Sequence, residues 1–252
     1  MNIIVLTNLK GGCAKTTTTV NLAACLAELK KKVLVIDLDP QGNASQWLSN
    51  ENFHPLTSHT IFTGKQDIST LVQGTTVFNV GLIPASPDLS NLEKTLAGEF
   101  LVETILGHRL AGANLDCWDF ILIDTPPTLG LVTLNALSAA NQLIIPVSTH
   151  VLTLSGVAQL MIVIKKIKEA LNPNLRILGF LPSRVDLRTR HARDVLETLE
   201  EHFSGQIFKT FIRENIRLAE APSYKKPITT YDANGGAAQD FRAFTEEVLS
   251  LI

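Results

Sequence analysis

Short unbroken runs of Val, Ile, Leu and Phe, separated by longer amphipathic stretches, constrain this 252-residue chain more than any other feature. The runs fall at 3–6, 33–36, 120–123, 143–147 and 177–181, with a weaker one at 77–83. Continuous rather than alternating apolar residues mean strands covered on both faces. Helical patterns at 16–29, 89–110, 154–171 and 192–203 separate them. Right-handed crossovers through such helices build a mostly parallel sheet with helices on both faces, so the expected class is α/β, a single domain over 1–252. Residues 50–76 carry the least pattern and read as a mobile surface segment.

Composition excludes several classes. Hydrophobic residues make up 45% of the chain, yet no apolar run approaches the ~20 residues of a membrane span. The first run is too short for a signal peptide and no basic residue precedes it, so a cytoplasmic location is expected. Cys13, Cys25 and Cys117 lie far apart and match no zinc or redox spacing. Charge is uneven. Residues 1–150 carry 8 Lys+Arg against 12 Asp+Glu, and residues 151–252 carry 14 against 12. An anionic partner is therefore expected to meet the later part of the chain.

In a parallel sheet, ligands sit beyond the carboxyl ends of the strands. Three strand ends here carry chemistry. After the first run comes Lys10-Gly11-Gly12-Cys13-Ala14-Lys15-Thr16-Thr17, then a helix. Glycines let backbone N–H groups converge on an anion, and the helix N-terminus adds its positive end. Lys15 is a point charge for phosphates and Thr16 a hydroxyl ligand for Mg²⁺. After the second run, Asp37 and Asp39 share a face, since residues two apart in a strand do. After the third, Asp124 ends four apolar residues, a costly burial unless a cation is near. Paired prolines, Pro126 and Pro127, stiffen the turn that follows.

The loop departs from the ordinary P-loop pattern, with Leu9 and Ala14 at the usual glycine positions. With its leading lysine it instead resembles the deviant Walker A box of the ParA/MinD family. Asp37-Leu38-Asp39-Pro40-Gln41-Gly42-Asn43 and Asp124-Thr125-Pro126-Pro127 are similar to that family's other two acidic boxes. The segment Ile216-Arg217-Leu218-Ala219-Glu220-Ala221-Pro222-Ser223-Tyr224 looks like the ParA-type branch, in the short form without an N-terminal helix-turn-helix. The resemblance implies an ATPase using ATP and Mg²⁺, with weak basal turnover stimulated by a ParB-like or other adaptor. Lys10 would reach a partner's nucleotide in an ATP-dependent homodimer. Asp39 would orient the attacking water, Asp37 and Asp124 would support the metal shell, and Pro222 would join the loop residues in holding nucleotide. Arg188 and Arg217 would contact DNA without sequence preference, which implies nucleoid association and a role in positioning or segregating DNA or another cargo.

Some positions depart from the family. Ala14 replaces a usual Gly and is acceptable with a negative φ, as expected on entering the helix. Ile212-Arg213-Glu214-Asn215 replaces a Pro-bearing stretch that helps contain adenine in relatives. Lys225 replaces another Gly, and His150 and Ser155 stand where many relatives are acidic. Three rivals follow from the same residues. A MinD-like membrane switch needs a basic amphipathic tail, but the charges of 240–252 are mostly acidic and the tail reads as a helix docked on the body. A metallo-reductase needs cluster cysteines, and a DNA-coating protein without turnover would not need Lys10, Asp39 and Asp124.

Overall fold

The structure is a computed structural model and describes residues 1–50, 56–150 and 154–252. Eight strands form one sheet: β1 (Asn2–Leu6), β2 (Val33–Asp37), β3 (Gln73–Gly74), β4 (Val80–Ile83), β5 (Phe120–Asp124), β6 (Gln142–Ser148), β7 (Arg176–Val185) and β8 (Ile212–Arg213). Their order is β3-β4-β2-β5-β1-β6-β7-β8. All neighbours pair in parallel except β3, which caps the β4 edge antiparallel. The mostly parallel α/β architecture expected from the runs is what the chain adopts.

Eleven α-helices are described: α1 (Lys15–Glu28), α2 (Asn43–Leu48), α3 (Ser58–Thr63), α4 (Leu92–Thr95), α5 (Ile105–Ala111), α6 (Leu131–Ala139), α7 (Leu154–Ala170), α8 (Arg190–Phe203), α9 (Ile216–Glu220), α10 (Ile228–Tyr231) and α11 (Gly236–Leu251). Successive strand residues serve opposite faces. Ile3, Val5, Leu34, Ile36, Ile121 and Ile123 meet helices α3 to α8 on one face. Ile4, Leu6, Val33, Val35 and Leu122 meet α1, α2, α10 and α11 on the other. This double cover explains why the strands read as solid apolar runs.

The last helix is docked, as its pattern predicts. Phe241, Phe244 and Val248 are fully buried, each worth about 1.5–3 kcal/mol of apolar transfer. Arg242 fastens the helix to α1 through Glu28, Nε to Oε2 at 2.7 Å. The tail's apolar stripe is thus occupied by the body of the protein. Among the described residues no helix is long and apolar enough to cross a membrane.

Two expectations need correction. Residues 89–110 are not mostly one helix: a 3₁₀ turn (Pro87–Asn91) and α4 are followed by a break, a second 3₁₀ turn (Val102–Thr104) and α5. Gly98 at φ 92° and Leu101 at φ 55° turn the chain left-handed between them, which no right-handed helix can carry. Residues 56–76 are built into the fold rather than mobile surface. Thr57 and Thr60 form a capping box for α3, and Ile61, Ile68 and Leu71 are fully buried. The helices there are too short for their period to emerge from sequence. Residues 51–55, within the same expectation, lie outside the described residues, as does the side chain of Ser155.

Candidate active site

Because β1, β2 and β5 run parallel, the segments that follow them emerge at one edge of the sheet. The phosphate loop connects β1 to α1. Asn8 anchors its start, donating Nδ2 to the Pro146 carbonyl at 2.7 Å and accepting from Lys10 N at 3.1 Å. Gly12 adopts φ 74°, a conformation suited to its missing Cβ. Ala14 also lies in the left-handed region, at φ 63°, ψ 28°, which corrects the negative φ expected for it. The reason is positional: Ala14 is the N-cap, the half-in residue outside the helical dihedrals, and α1 begins one residue later. Left-handed backbone costs an L-residue with a Cβ about 1–2 kcal/mol. Lys225, the other residue standing in for a usual Gly, is left-handed too, at φ 51°.

The two lysines of the loop are placed differently. Lys15 is 7% exposed, and its Nζ donates to the Lys10 carbonyl at 3.3 Å. Burial lowers its pKa, with Asp124, Cys13 and Asp39 pulling it partly back. A desolvated ammonium of this kind is completed by an anion. Lys10 itself is exposed.

The acidic strand ends face the loop. Asp37 and Asp124 are register partners across β2 and β5, and both are fully buried. Asp124 accepts Thr16 Oγ1 at 2.7 Å and Thr19 Oγ1 at 3.1 Å. Asp37 accepts Ser45 N at 2.8 Å, Ser45 Oγ at 2.6 Å and Asp39 N at 3.1 Å. Burial pushes both carboxyls above the usual carboxylate range, and for Asp124 the neighbouring Asp37 charge adds to the effect. These bonds cast Asp37 as the anchor of α2 and of the Asp39 turn. Thr16 and Asp124 form the hard-oxygen pair suited to Mg²⁺, an ion that keeps several waters and phosphate oxygens and needs few protein ligands. Among the described residues no group of three or more His, Cys, Asp or Glu side chains gathers as a metal cage. Asp39 is 6% exposed, and its Oδ1 accepts Gln41 N at 3.0 Å.

Three hollows border the loop, two of them over its glycines. One, of about 200 Å³, is lined by all of Gly11 to Thr17 with Asp39, Gln41, Asn43 and Pro127. The other, of about 380 Å³, shares Gly12, Ala14 and Thr17 and continues over Arg184, Asn215, Leu218 and Phe241. The first suits phosphates, and the second a nucleoside. The divergent stretch at 212–215 lines the second hollow, but its charges are taken: Arg213 pairs with Asp240 at 2.6 Å and Glu214 with Arg184 at 3.0 Å. Glu214 also stands 3.8 Å from His150. Pro222 lines the third hollow, with Gln46, Trp47 and Ser223, which shares Thr16, Thr17 and Asn43 with the phosphate hollow. Sequence reasoning gave no role to Arg184, Leu218 or Phe241: Leu218 lies within the 216–224 segment but was not singled out, and Arg184 and Phe241 belong to no local motif. The only cue was the departure at 212–215.

Arg188 and Arg217 follow the neighbouring strands β7 and β8 at the same sheet edge. The Arg188 side chain is 90% exposed and binds Asp186 through two bonds of 2.8 Å, which hold the Asp186 carboxyl down at about 2. Arg217 reaches Glu220 at 3.5 Å. Glu197, Glu200 and Glu201 of α8 form no described pair with Arg188 or Arg217.

A family model described as "AAA domain" matches residues 1–177. The chain is 39% identical over 247 residues to the sporulation initiation inhibitor protein Soj of Bacillus subtilis, covering 98% of this chain and 97% of that protein. It is 40% identical over 253 residues to the chromosome-partitioning ATPase Soj of Thermus thermophilus, covering 99% and 96%. The crystal structure of cobyrinic acid a,c-diamide synthase from Mycobacterium smegmatis, with bound ATP analog and magnesium, matches with a TM-score of 0.86 at 31% identity, covering 99% and 94%. A phosphate loop with two lysines, paired acidic strand ends and near full-length similarity to the Soj proteins lead to one assignment: the chain belongs to the ParA/Soj family of P-loop ATPases.

Proposed function

We propose that this chain is an ATP-switched dimer that binds DNA without sequence preference and positions or segregates DNA or another cargo. It is an ATP hydrolase acting on Mg²⁺-bound ATP, as its family membership, its loop and the relatives above support. The observation that carries the switch is the contrast between the two lysines. Lys15 is folded into its own loop, while Lys10 stands exposed on the same loop, free to meet a nucleotide from outside the chain.

Each residue then has a task. The loop N–H groups and Lys15 grip the phosphates. Thr16 and Asp124 hold the metal, which when bound neutralises phosphate charge. Asp39, at the wall of the phosphate hollow, orients the attacking water, and phosphoryl transfer to water needs such positioning and charge stabilisation more than covalent help. Lys10 of each subunit completes the other's site, so triphosphate favours pairing. Pairing joins two sets of Arg188 and Arg217, and two weak patches acting together gain avidity. Because the contacts are to phosphates, binding is sequence-blind and salt-sensitive. A ParB-like or other adaptor accelerates hydrolysis, the dimer splits, and the protein leaves the nucleoid DNA. A membrane-switch reading has no support in α11, whose Phe241, Phe244 and Val248 are buried against the body.

Retention of the protein on mixed-sequence DNA should require Mg²⁺ and ATP. Lys15→Ala should abolish that retention, measured by filter binding with and without nucleotide. Undiminished retention by the variant would remove the switch.

A further inference from the structure

We propose that Glu93 is a positioning residue for the segment from Asp124 to Gly130, and through it for the phosphate hollow. The role rests on the ATPase reading above.

Helix α6 starts at Leu131, and its N-cap is Gly130, which has no side chain to offer. The amide at the first helical position has no partner inside the helix. Glu93 supplies one from 38 residues earlier: its Oε1 accepts Leu131 N at 3.1 Å. A carboxylate there also meets the positive end of the helix. Glu93 itself is exposed, so packing does not explain its presence. Its neighbour Leu92 is fully buried and fixes α4 against the core.

The segment that Glu93 holds lies between the metal-side carboxylate and α6. At its start, Thr125 Oγ1 donates to the Leu6 carbonyl of β1 at 2.8 Å. At its end stands the Glu93 bond. Between them Pro126 and Pro127 allow little bending, and Pro127 lines the phosphate hollow together with Asp39. Asp39, Pro127 and Glu93 also line a second groove of about 380 Å³. A stiff segment pinned at both ends transmits the position of one pin to its middle. Releasing Glu93 therefore shifts Pro127 relative to Asp39, where small displacements weigh heavily on rate.

Three variants test this. Glu93→Ala removes the acceptor. Glu93→Gln keeps an oxygen that can accept the same bond. Gly130→Ala is conformationally permitted at φ −82°; its Cβ would sit 3.1 Å from Glu93 Oε1, so the carboxylate need give by only a few tenths of an ångström and keeps its bond. With saturating Mg²⁺-ATP, Glu93→Ala should lower kcat about tenfold with KM unchanged, while Glu93→Gln and Gly130→Ala stay within about twofold. Amide exchange over 125–132 should quicken in Glu93→Ala and not in Glu93→Gln or Gly130→Ala. A normal kcat with normal exchange in Glu93→Ala overturns the proposal, as does a Gln variant as impaired as the Ala variant. If the parent chain releases no phosphate at all, the ATPase reading fails, and the exchange experiment still decides whether Glu93 holds the segment.

Discussion

Asp37 and Asp124 are fully buried, with their described side-chain bonds made to Thr16, Thr19, Ser45 and the Asp39 amide. Arg188 and Arg217 stand in solvent, each leaning on an acid of its own segment. The acidic pair is paid for by the fold, whose burial holds both carboxyls above the ordinary carboxylate range. The arginines are preassembled at almost no cost, since exposed ion pairs contribute only about 0–1 kcal/mol. The acidic edge is therefore tuned for one kind of partner and intolerant of change. If the arginine face meets DNA as proposed, it would exchange a carboxylate for a phosphate, which would make it adaptable and sensitive to salt.

Asp39→Ala probes the rigid edge most severely. Removal of a group that orients the nucleophile should lower kcat by about 10²–10³-fold and leave the protein paired on DNA in ATP. A rate within a factor of a few of the parent would reduce Asp39 to the cap of the Gln41 turn.

Asp124→Asn tests the claim that the buried pair is held for a cation. Both carboxyls have raised folded pKa values, so between the unfolded and folded values the folded protein binds more protons. Stability of the nucleotide-free protein should fall as pH rises through that window. The Asn variant should flatten this slope and gain on the order of 2 kcal/mol near neutral pH, while losing the thermal shift that Mg²⁺-ATP gives the parent. A steeper slope, or a retained shift, would contradict the assignment. Smaller still, Arg217→Glu should weaken binding to mixed-sequence DNA about tenfold and reduce the salt slope by about one, with dimerisation intact. Unchanged DNA affinity at low salt would move the footprint off this face.

The two regions also differ in how far the sequence disclosed them. The sheet and the acidic edge were legible because buried strands and their terminal carboxylates are spelled out locally: four apolar residues, then Asp, leave few alternatives. The loop's residues were legible too, but not the backbone at Ala14, whose φ depends on where the helix starts. The nucleoside-sized hollow was nearly invisible, since Arg184, Asn215, Leu218 and Phe241 come together only when β7, β8, α9 and α11 are assembled. Glu93 was hidden for the same reason, its bond spanning α4 and α6. On the arginine face the residues could be named, but not their partners: Arg188 chose Asp186, two residues away, over the glutamates of α8.

The smallest expected effects concern two left-handed residues, Ala14 and Lys225, that stand where relatives have Gly. Ala14→Gly should raise stability by about 0.5–1 kcal/mol as the steric cost is relieved and part of the gain is lost to the freer unfolded chain. Lys225→Gly, at an exposed turn, should give no more than that. A fall in melting temperature for Ala14→Gly would mean that the Cβ of Ala14 makes contacts outweighing its strain.

One consequence follows from the way the two loop-side hollows divide the polypeptide. The smaller is made wholly from residues 11 to 127, and the larger is closed by residues 183 to 241. A nucleotide lying across both would act as a suture, stitching the carboxy-terminal third of the chain to the amino-terminal loop. Protease resistance at the junctions around β8 and α9 would then report directly on whether the triphosphate is in place.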